Sequence, residues 1–169
     1  MANIKKWVWG QRDPLFKRIF MTSEETPEIR KKQDLIRYGI FQITEVLPFV
    51  VFSGNQKRPK NSQGKLDLEA RANYAGYQVW MTSLRLQLFA KKGLSCTKCG
   101  ITGSFFALET FPSSQSRSPH FNLYGRDALG DEVLITKDHI HPKSLGGTDT
   151  LDNLQTMCYP CNHAKSNKI

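Results

Sequence analysis

Long apolar runs are missing from this chain of 169 residues. None approaches the roughly 18 residues that a membrane-spanning helix requires, and the first ten residues, with Lys5 and Lys6 beside two tryptophans, do not form the apolar core of a secretory signal. Low-complexity tracts and internal repeats are also absent, apart from two short cysteine motifs. Hydrophobic residues make up 39% and charged residues 23% of the chain, which predicts a cytoplasmic globular protein of one ordinary domain or two small ones.

Acidic residues are too few to balance the basic ones, and the imbalance lies in one half of the chain. Residues 1–93 hold 17 of the 24 lysines and arginines but only 8 of the 15 acids, whereas residues 94–169 hold 7 of each. The whole formal charge of +9 therefore belongs to the first half. Such charge favours a polyanion such as nucleic acid, because neutralised phosphates release condensed counterions. It is equally compatible with a protein that is basic for no specific reason.

Cysteine is absent from the first 95 residues, and the four cysteines that follow form two Cys-x-x-Cys pairs, Cys96 with Cys99 and Cys158 with Cys161. In a reducing compartment, pairs with this spacing favour a closed tetrahedral zinc site of four thiolates over disulfides. The long separation of the two pairs means that tertiary folding must bring them together. Two independent redox pairs are the alternative.

Local patterns in the first part of the chain predict both helix and strand. Thr26-Pro27-Glu28 has the features of a helix start and predicts a short helix that ends at Tyr38. The β-branched and aromatic residues from 40 to 52 predict one or two strands. The segment 53–65 predicts an exposed loop, which is either a solvated linker or an arm that contacts a nucleic-acid backbone. Its basic residues include Lys57, Arg58 and Lys60.

The second part of the chain predicts an α+β arrangement. An amphipathic helix is predicted from Val79 to Lys92, ended by Gly93, directly before the first cysteine pair. Beyond it, β-branched and aromatic residues predict three strands, with a turn around Gly130 before the last of them. The strands cover Phe105–Glu109, His120–Tyr124 and Glu132–Thr136.

Candidate catalytic groups follow the last of these strands. Asp138 and His139 are adjacent at a strand end, where successive side chains point to opposite faces, so a carboxylate can turn toward a metal and an imidazole toward water. An imidazole with an unperturbed pKa of about 6.5 is mostly neutral at cytoplasmic pH and suits a general base, provided that a carbonyl or an amide holds its second nitrogen. Asn162 directly follows Cys161, so a helix start fixed by zinc would aim its amide oxygen, a ligand that suits Mg²⁺. Asn153 would support the intervening loop or supply the carbonyl.

These residues also stand in a recognisable order. The motif resembles that of the HNH endonuclease family, whose core is a ββα-metal finger; it reads Asp138-His139-Ile140-His141-Pro142, Gly146-Gly147, Asp152-Asn153-Leu154-Gln155 and Cys158-x-x-Cys161-Asn162-x-x-Lys165. A wider run is similar to zinc-stapled HNH proteins common in bacteriophages, and includes Thr82-Ser83-Leu84-Arg85 and Cys96-x-x-Cys99-Gly100. The resemblance covers about residues 80–168. It implies a nuclease domain over residues 80–169. The positive charge of the preceding region, residues 1–79, predicts that this region helps to engage DNA.

The resemblance implies two ions and a set of site residues. A structural Zn²⁺ would bind the four cysteines, and a catalytic Mg²⁺ or Mn²⁺ would bind Asp138 and Asn162. The family has histidine at the position of Asn162, and His163 is the rival ligand if the helix register differs by one residue. His139 would be the general base and Asn153 would brace the loop. Lys165, in the first turn of the helix, would be a further catalytic residue or an ordinary solvated cation. Contacts to DNA, or ordinary solvated cations, would be Lys143, Lys57, Arg58 and Lys60.

The function that the resemblance implies is hydrolysis of double-stranded DNA, with 5′-phosphate and 3′-hydroxyl products, in a host cytoplasm if a phage encodes the protein. One site of this type cuts one strand, so a duplex break needs a second site, a homodimer or repeated encounters. Two alternatives stay open. One is a zinc-stapled nucleic-acid-binding or assembly module without turnover, and the other is a nuclease that acts on RNA.

Overall fold

The computed structural model describes residues 6–7, 35–54, 59–111 and 118–168. Most of these residues are organised around antiparallel strands, with helices packed beside them. The strands are β1 (Lys6–Trp7), β2 (Leu35–Gln42), β3 (Arg71–Tyr74), β4 (Tyr77–Trp80), β5 (Gly103–Thr110), β6 (His120–Arg126), β7 (Glu132–His139) and β8 (Leu154–Cys158). Six of them form one sheet in the order β1-β2-β5-β6-β7-β8, and β3 and β4 form a separate hairpin. The mixture of helix and strand confirms the predicted α+β class.

Three α-helices accompany the strands in the described part of the chain: α1 (Ile43–Val46), α2 (Leu84–Lys92) and α3 (Tyr159–Lys165). Short 3-10 turns cover Leu47–Phe49, Leu68–Ala70, Lys143–Leu145 and Leu151–Asn153. None of the helices that the structure describes is both long and apolar enough to cross a bilayer. The three strands predicted in the second part are confirmed as β5, β6 and β7, each slightly longer than predicted.

Helix α2 begins later than predicted and ends where predicted. Val79 and Trp80 are not helical but belong to β4, where they pair with Ala72 and Arg71 of β3. The helix starts after Ser83, whose hydroxyl accepts a hydrogen bond from the Leu86 amide and so caps the first turn. It ends at Gly93, which has a φ of 91° that favours glycine. The predicted helix was therefore too long by its first turn.

The predictions for residues 35–52 were wrong in two places. The helix expected to end at Tyr38 is contradicted from Leu35 onward, because these residues form β2 and pair with β5; its start at Thr26-Pro27-Glu28 lies outside the described residues. The strands expected over 40–52 end at Gln42, beyond which the chain is helical through Phe49. A capping box between Gln42 and Glu45 starts α1. Pairing with β5 thus overrides the helix predicted for residues 35–38, and the capping box overrides the strand predicted for residues 43–49.

The hydrophobic core lies on one face of the sheet, against α2. Leu86, Leu88 and Phe89 of the helix belong to the same buried cluster as residues of β5 to β8. These sheet residues include Phe106, Leu108, Phe121, Leu123, Ile135 and Leu154. Each fully buried side chain of this kind contributes about 1.5–3 kcal/mol relative to an exposed one. The core therefore fixes α2 against the end of the sheet from which the site is built.

The other face carries a buried ionic network that ties β2 to β5 and β7. The Arg37 guanidinium contacts Glu109 at 2.7 Å and Glu132 at 3.1 Å. Tyr124 donates its hydroxyl hydrogen to Glu109 over 2.8 Å, and burial, followed by the nearby Glu109 carboxylate, raises the pKa of Tyr124. Residues 35–42 thus share the sheet of the second part of the chain, while the predicted boundary at residue 80 stays a prediction.

The site is positioned by the point at which β7 separates from β6. Strand β7 pairs with β6 only through residues 132–135 and with β8 through residues 135–139. The last part of β7 therefore projects beyond β6 as a two-stranded hairpin with β8. Helix α3 follows β8 without a loop and contacts both strands of this hairpin. Two strands and one short helix thus form the frame for the residues singled out from the sequence.

Candidate functional site

The four cysteines come together in one cluster. Their sulfur atoms all lie within 4.8 Å of one another, and Cys99 Sγ is 3.6 Å from Cys158 Sγ. A tetrahedral ion with Zn–S bonds of about 2.3 Å would hold its sulfurs about 3.8 Å apart, whereas a disulfide would need about 2.05 Å. The cysteines are free of disulfides. The donor set and its spacing therefore fit a structural zinc ion, and within the described residues no second group of three or more His, Cys, Asp or Glu side chains is close enough to hold a metal.

The cluster joins the loop after α2 to the corner between β8 and α3. Cys158 is the last residue of β8, and Cys161 lies in the first turn of α3. Burial raises the pKa of the Cys161 thiol to about 11, because desolvation disfavours a thiolate. Burial also acts on Cys96, but backbone amides, those of Cys158 and Cys99 first, lower its pKa to about 7. A bound cation would favour the thiolate at each of these positions.

Asp138 lies on the face of β7 that α3 covers. Only 6% of the residue is exposed. Its Oδ2 atom accepts a hydrogen bond from Gln155 Nε2 over 2.8 Å and contacts the Lys165 ammonium at 3.0 Å. Its Oδ1 atom has no hydrogen-bond partner among the described residues, and it is not one of the fully buried atoms that lack a partner. One carboxylate oxygen is therefore held in place, and the other is left with solvent access.

Asn162 presents an oxygen to the same region. Its amide nitrogen donates a hydrogen bond to Thr136 Oγ1 over 2.9 Å, and Thr136 lies on the same face of β7 as Asp138, two residues earlier. This bond fixes the orientation of the amide and leaves Oδ1 without a partner among the described residues. His163, the rival ligand, is exposed and stacks on Tyr159 with a ring distance of 5.9 Å. The geometry thus favours Asn162 over His163.

Asp138, His139 and Asn162 line one pocket of about 380 Å³. Lys143, His163, Ser166 and Asn167 also line it. The available donors are one carboxylate oxygen and one amide oxygen, which are hard ligands of the kind that Mg²⁺ and Mn²⁺ prefer. Water and a phosphate oxygen would complete the coordination of such an ion. The residues present therefore fit a catalytic divalent ion.

His139 turns to the opposite face of β7 and contacts a residue that the sequence did not indicate. Its Nε2 atom lies 2.9 Å from Asp149 Oδ1. The same carboxylate contacts the ammonium of Lys137 at 2.8 Å and that of Lys143 at 3.0 Å. These cations, Lys137 first, hold the pKa of Asp149 well below its usual range. The imidazole is therefore held by a carboxylate and not by the carbonyl or amide that the sequence led us to expect.

Asn153 closes the loop between β7 and β8. Its Oδ1 accepts the amide hydrogen of His141 over 2.9 Å, and its amide nitrogen donates to the carbonyl oxygens of His141 at 3.0 Å and Thr148 at 2.8 Å. Gly147 makes this closure tight, since a Cβ added there would lie 1.9 Å from the His141 carbonyl oxygen. Asn153 contacts the loop backbone and not the His139 ring.

The remaining predicted site residues lie in different places. Lys165 Nζ donates to the His139 carbonyl oxygen over 2.7 Å, in addition to its contact with Asp138. Lys143 belongs to the pocket but its side chain is 56% exposed. Lys60 forms an isolated bridge to Leu66, away from the pocket lining, and Lys57 and Arg58 lie outside the described residues. Asp149, Gln155 and Lys137 were missed, because a single polar residue in a loop or on a strand carries no spacing signal.

A larger cavity, of about 570 Å³, opens where β6 and β7 separate, beneath the start of α2. Arg85 lines it and donates a hydrogen bond to Asn122 Oδ1 over 2.8 Å. Burial lowers the pKa of Arg85, and burial followed by the Arg85 charge lowers the pKa of His120 to about 4. The cavity extends as far as Lys137 and Asp149. Lys137 and Asp149, two of the residues beside His139, therefore line a different cavity from the pocket that contains His139 itself.

A two-stranded hairpin closed by a helix, with acid, imidazole and amide at its strand end and helix start, defines the ββα class of metal-dependent site. Residues 126–168, which contain this unit, match the family model described as HNH endonuclease. This part of the chain therefore belongs to the HNH endonuclease family, as the motif indicated, and its membership indicates a nuclease or another nucleic-acid-related activity. No curated protein and no solved structure matched the chain.

Proposed function

We propose that this protein is a metal-dependent endonuclease that hydrolyses phosphodiester bonds of double-stranded DNA. The observation that carries the proposal is the pocket of about 380 Å³ in which Asp138, His139 and Asn162 meet. A base, two hard oxygen donors and a nearby lysine are the groups that phosphodiester hydrolysis requires in one place. The HNH match over residues 126–168 supports the same class of reaction.

Asp138 and Asn162 would hold one Mg²⁺ or Mn²⁺ through the two oxygens that lack hydrogen-bond partners among the described residues. When bound, such an ion neutralises negative charge that develops on the phosphate and on the leaving oxygen. Lys165 and Gln155 keep the Asp138 carboxylate in one orientation through its other oxygen. The ammonium of Lys165 also adds positive charge close to the site of the phosphate.

His139 is the general base of the proposed reaction. It takes a proton from water as the water oxygen attacks phosphorus in line with the bond to the 3′ oxygen. That bond breaks, the electron pair leaves with the 3′ oxygen, and solvent protonates it. The products carry a 5′-phosphate and a 3′-hydroxyl. Asn153 supports this chemistry indirectly, because it holds the loop that follows His139.

The basic first part of the chain would help to engage the duplex. The net charge of +9 in residues 1–93 suits contacts with DNA phosphates, and Lys57, Arg58, Lys60 and Lys143 are candidate contacts. A homodimer would supply the second site that a double-strand break needs. The two alternatives, a binding module without turnover and a nuclease for RNA, make different predictions in the same assays.

The direct test is nicking of supercoiled plasmid by His139→Ala, with His141→Ala as the matched control. The imidazole of His141 is exposed, whereas its backbone carries the loop contacts with Asn153. General-base catalysis is worth about 10²- to 10⁴-fold, so His139→Ala should lose that much of the rate with its zinc content unchanged, and His141→Ala should retain its activity. Undiminished cutting by folded His139→Ala would overturn the proposal.

The same assays test the two alternatives. Plasmid binding without nicking in Mg²⁺ or Mn²⁺ would support the non-catalytic module, and cleavage of labelled RNA alone would support the RNA nuclease.

A further inference from the structure

Asp149 makes three side-chain contacts that the proposed function does not use. It lies in the loop between Gly147 and the 3-10 turn that starts at Leu151. Three nitrogen-bearing side chains converge on its carboxylate: Lys137 at 2.8 Å, His139 at 2.9 Å and Lys143 at 3.0 Å. Two of them come from one face of β7, since Lys137 and His139 are two residues apart in the strand. The loop thus brings one carboxylate to the nitrogen of the candidate base.

The chemistry of this contact decides which ring nitrogen bears hydrogen. An ionised carboxylate can only accept hydrogen bonds, and the two lysines keep Asp149 ionised. His139 Nε2 must therefore carry the hydrogen and donate it to Asp149 Oδ1. In the neutral imidazole the lone pair then lies on Nδ1. This atom has no hydrogen-bond partner among the described residues, and His139 is one of the residues that line the pocket with Asp138 and Asn162.

We propose that Asp149 is the positioning residue of the general base: it accepts the Nε2 hydrogen of His139, fixes the ring orientation and leaves Nδ1 to take the proton of the attacking water. The proposal rests on the proposed nuclease function. Lys137 and Lys143 contribute by holding the carboxylate, one through each oxygen, so that it cannot rotate away from the ring. Among the described residues, the Asp149 carboxylate contacts Lys137, His139 and Lys143 and neither Asp138 nor Asn162.

The partial exposure of Asp149 and His139 explains why Lys137 and Lys143 are needed to hold the Asp149 carboxylate in place. The Asp149 side chain is 36% exposed and the His139 side chain 19% exposed. A single hydrogen bond at such a partly exposed site competes with water and holds the ring only weakly. Two additional charge-assisted contacts restrict the carboxylate to one position. The arrangement therefore supplies rigidity that the loop backbone alone does not provide.

The test compares Asp149→Ala with Asp152→Ala in plasmid nicking by the full, zinc-loaded chain. Asp152 is an exposed acid in the same loop whose carboxylate makes no hydrogen bond among the described residues, so both variants change the charge equally. Loss of an orienting partner costs about 10- to 100-fold. We expect that loss in kcat for Asp149→Ala, with KM unchanged or lower because a negative charge near the DNA is removed. Asp152→Ala should stay within about twofold of the wild type.

A second readout does not depend on activity. In ¹⁵N-labelled protein without DNA, the hydrogen of His139 should appear as an imidazole N–H resonance coupled to Nε2, because its bond to Asp149 slows exchange with water. Asp149→Ala should lose this resonance, and Asp152→Ala should keep it; His139→Ala assigns it. A hydrogen found on Nδ1 instead would overturn the proposal. So would its survival in Asp149→Ala.

Two further outcomes separate this proposal from the function on which it rests. If Asp149→Ala keeps the wild-type kcat while His139→Ala is inactive, the positioning role is wrong and the nuclease assignment stands. If both variants cut normally, neither residue serves the reaction, and the proposed catalytic site fails together with the positioning role. Should Asp149→Ala fold poorly, Asp149→Asn takes its place, since it keeps the shape of the side chain but offers one oxygen to three donors. Its kcat should fall at least about fivefold, and a wild-type kcat would overturn the proposal.

Discussion

The two faces of β7 at its carboxyl end carry different kinds of groups. On one face, Asp138 and Thr136 meet α3 and contact Lys165 and Asn162. On the other, Lys137 and His139 meet the loop residue Asp149. Strand alternation thus separates the candidate ion ligands from the candidate base, although Asp138 and His139 are neighbours in sequence. A single strand end can in this way serve both halves of one reaction.

The two faces are also held by different means. The helix face, which carries Thr136 and Asp138, depends on α3. The first turn of α3 contains Cys161, so the cysteine cluster sets the position of Asn162. The loop face, which carries Lys137 and His139, depends on their contacts with the Asp149 carboxylate, whose side chain is 36% exposed, and on the loop closure made by Asn153. We therefore expect zinc removal to release α3 and disrupt the helix face and the loop face with it, whereas substitutions in the loop and added salt should act on the loop face alone.

The largest expected effect is that of zinc removal, which should abolish both faces together. Structural zinc supplies about 10 kcal/mol or more in small metal-dependent folds, which is comparable to the whole stability of a domain, about 5–15 kcal/mol. Stripping with phenanthroline, which binds Zn²⁺ and spares Mg²⁺, should therefore unfold the β7–β8–α3 unit and reduce nicking below detection. Circular dichroism and plasmid nicking measure the two losses.

The control for zinc removal is the choice of ion added back. Zn²⁺ should restore both the fold and the nicking, whereas additional Mg²⁺ alone should restore neither. Persistent nicking by protein shown to be free of zinc would mean that the cysteine cluster does not set the position of α3, and the proposed difference between the faces would lose its basis.

The sequence predicted the helix face better than the loop face, for a physical reason. Asp138 ends a predicted strand, and Cys158, Cys161 and Asn162 follow one another at short spacings, because an ion and a first helical turn allow little variation. Asp149 belongs to an exposed loop, where neither a periodic pattern nor a fixed spacing marks a functional carboxylate. The contact of Asp149 with His139 depends on how the loop between β7 and β8 closes, which only the structure shows.

Strand β2 was missed for a related reason. Leu35–Tyr38 has no local feature that decides between helix and strand, and its conformation follows from pairing with β5 and from the contact of Arg37 with Glu109, which is 72 residues away in the chain. Helix α2, in contrast, was predicted at its end because Gly93 marks the end locally, but not at its start, since residues 79 and 80 pair with β3. Local signals predicted local boundaries, and tertiary pairing decided the rest.

The next largest effect separates the faces by their dependence on the catalytic ion. Asp138→Asn keeps the shape of the side chain but removes a ligand charge, so the Mn²⁺ concentration for half-maximal nicking should rise at least about tenfold, with activity partly restored at high Mn²⁺. His139→Ala should keep the half-maximal Mn²⁺ concentration within about threefold, with a maximal rate that no amount of metal restores. Metal titrations of the nicking rate measure both quantities.

The outcome that would contradict this separation is an equal shift in metal dependence for both variants, which would make His139 an ion ligand. Thermal melting of the zinc-loaded proteins is the control, because Asp138 is buried and Lys165 loses its carboxylate partner in Asp138→Asn. A variant that melts at the wild-type temperature and still needs more metal supports the role of ligand.

The smallest effect is expected at Lys143, which belongs to the loop face but has an exposed side chain. Its ion pair with Asp149 is a surface contact, worth about 0–1 kcal/mol, so Lys143→Ala should leave the melting temperature nearly unchanged. If the ammonium contacts a DNA phosphate, binding should weaken a few-fold for all sequences, and the slope of log affinity against log salt should become shallower by about one.

The control for Lys143→Ala is Lys91→Ala, in the exposed last turn of α2, which gives the same change in net charge without touching the pocket. Equal effects of the two variants on the salt slope would show that Lys143 acts through overall charge and not through a contact at the site. A larger fall in kcat than in affinity would show that Lys143 acts mainly by holding Asp149 beside His139, because its loss would then act on the base and not on the bound strand.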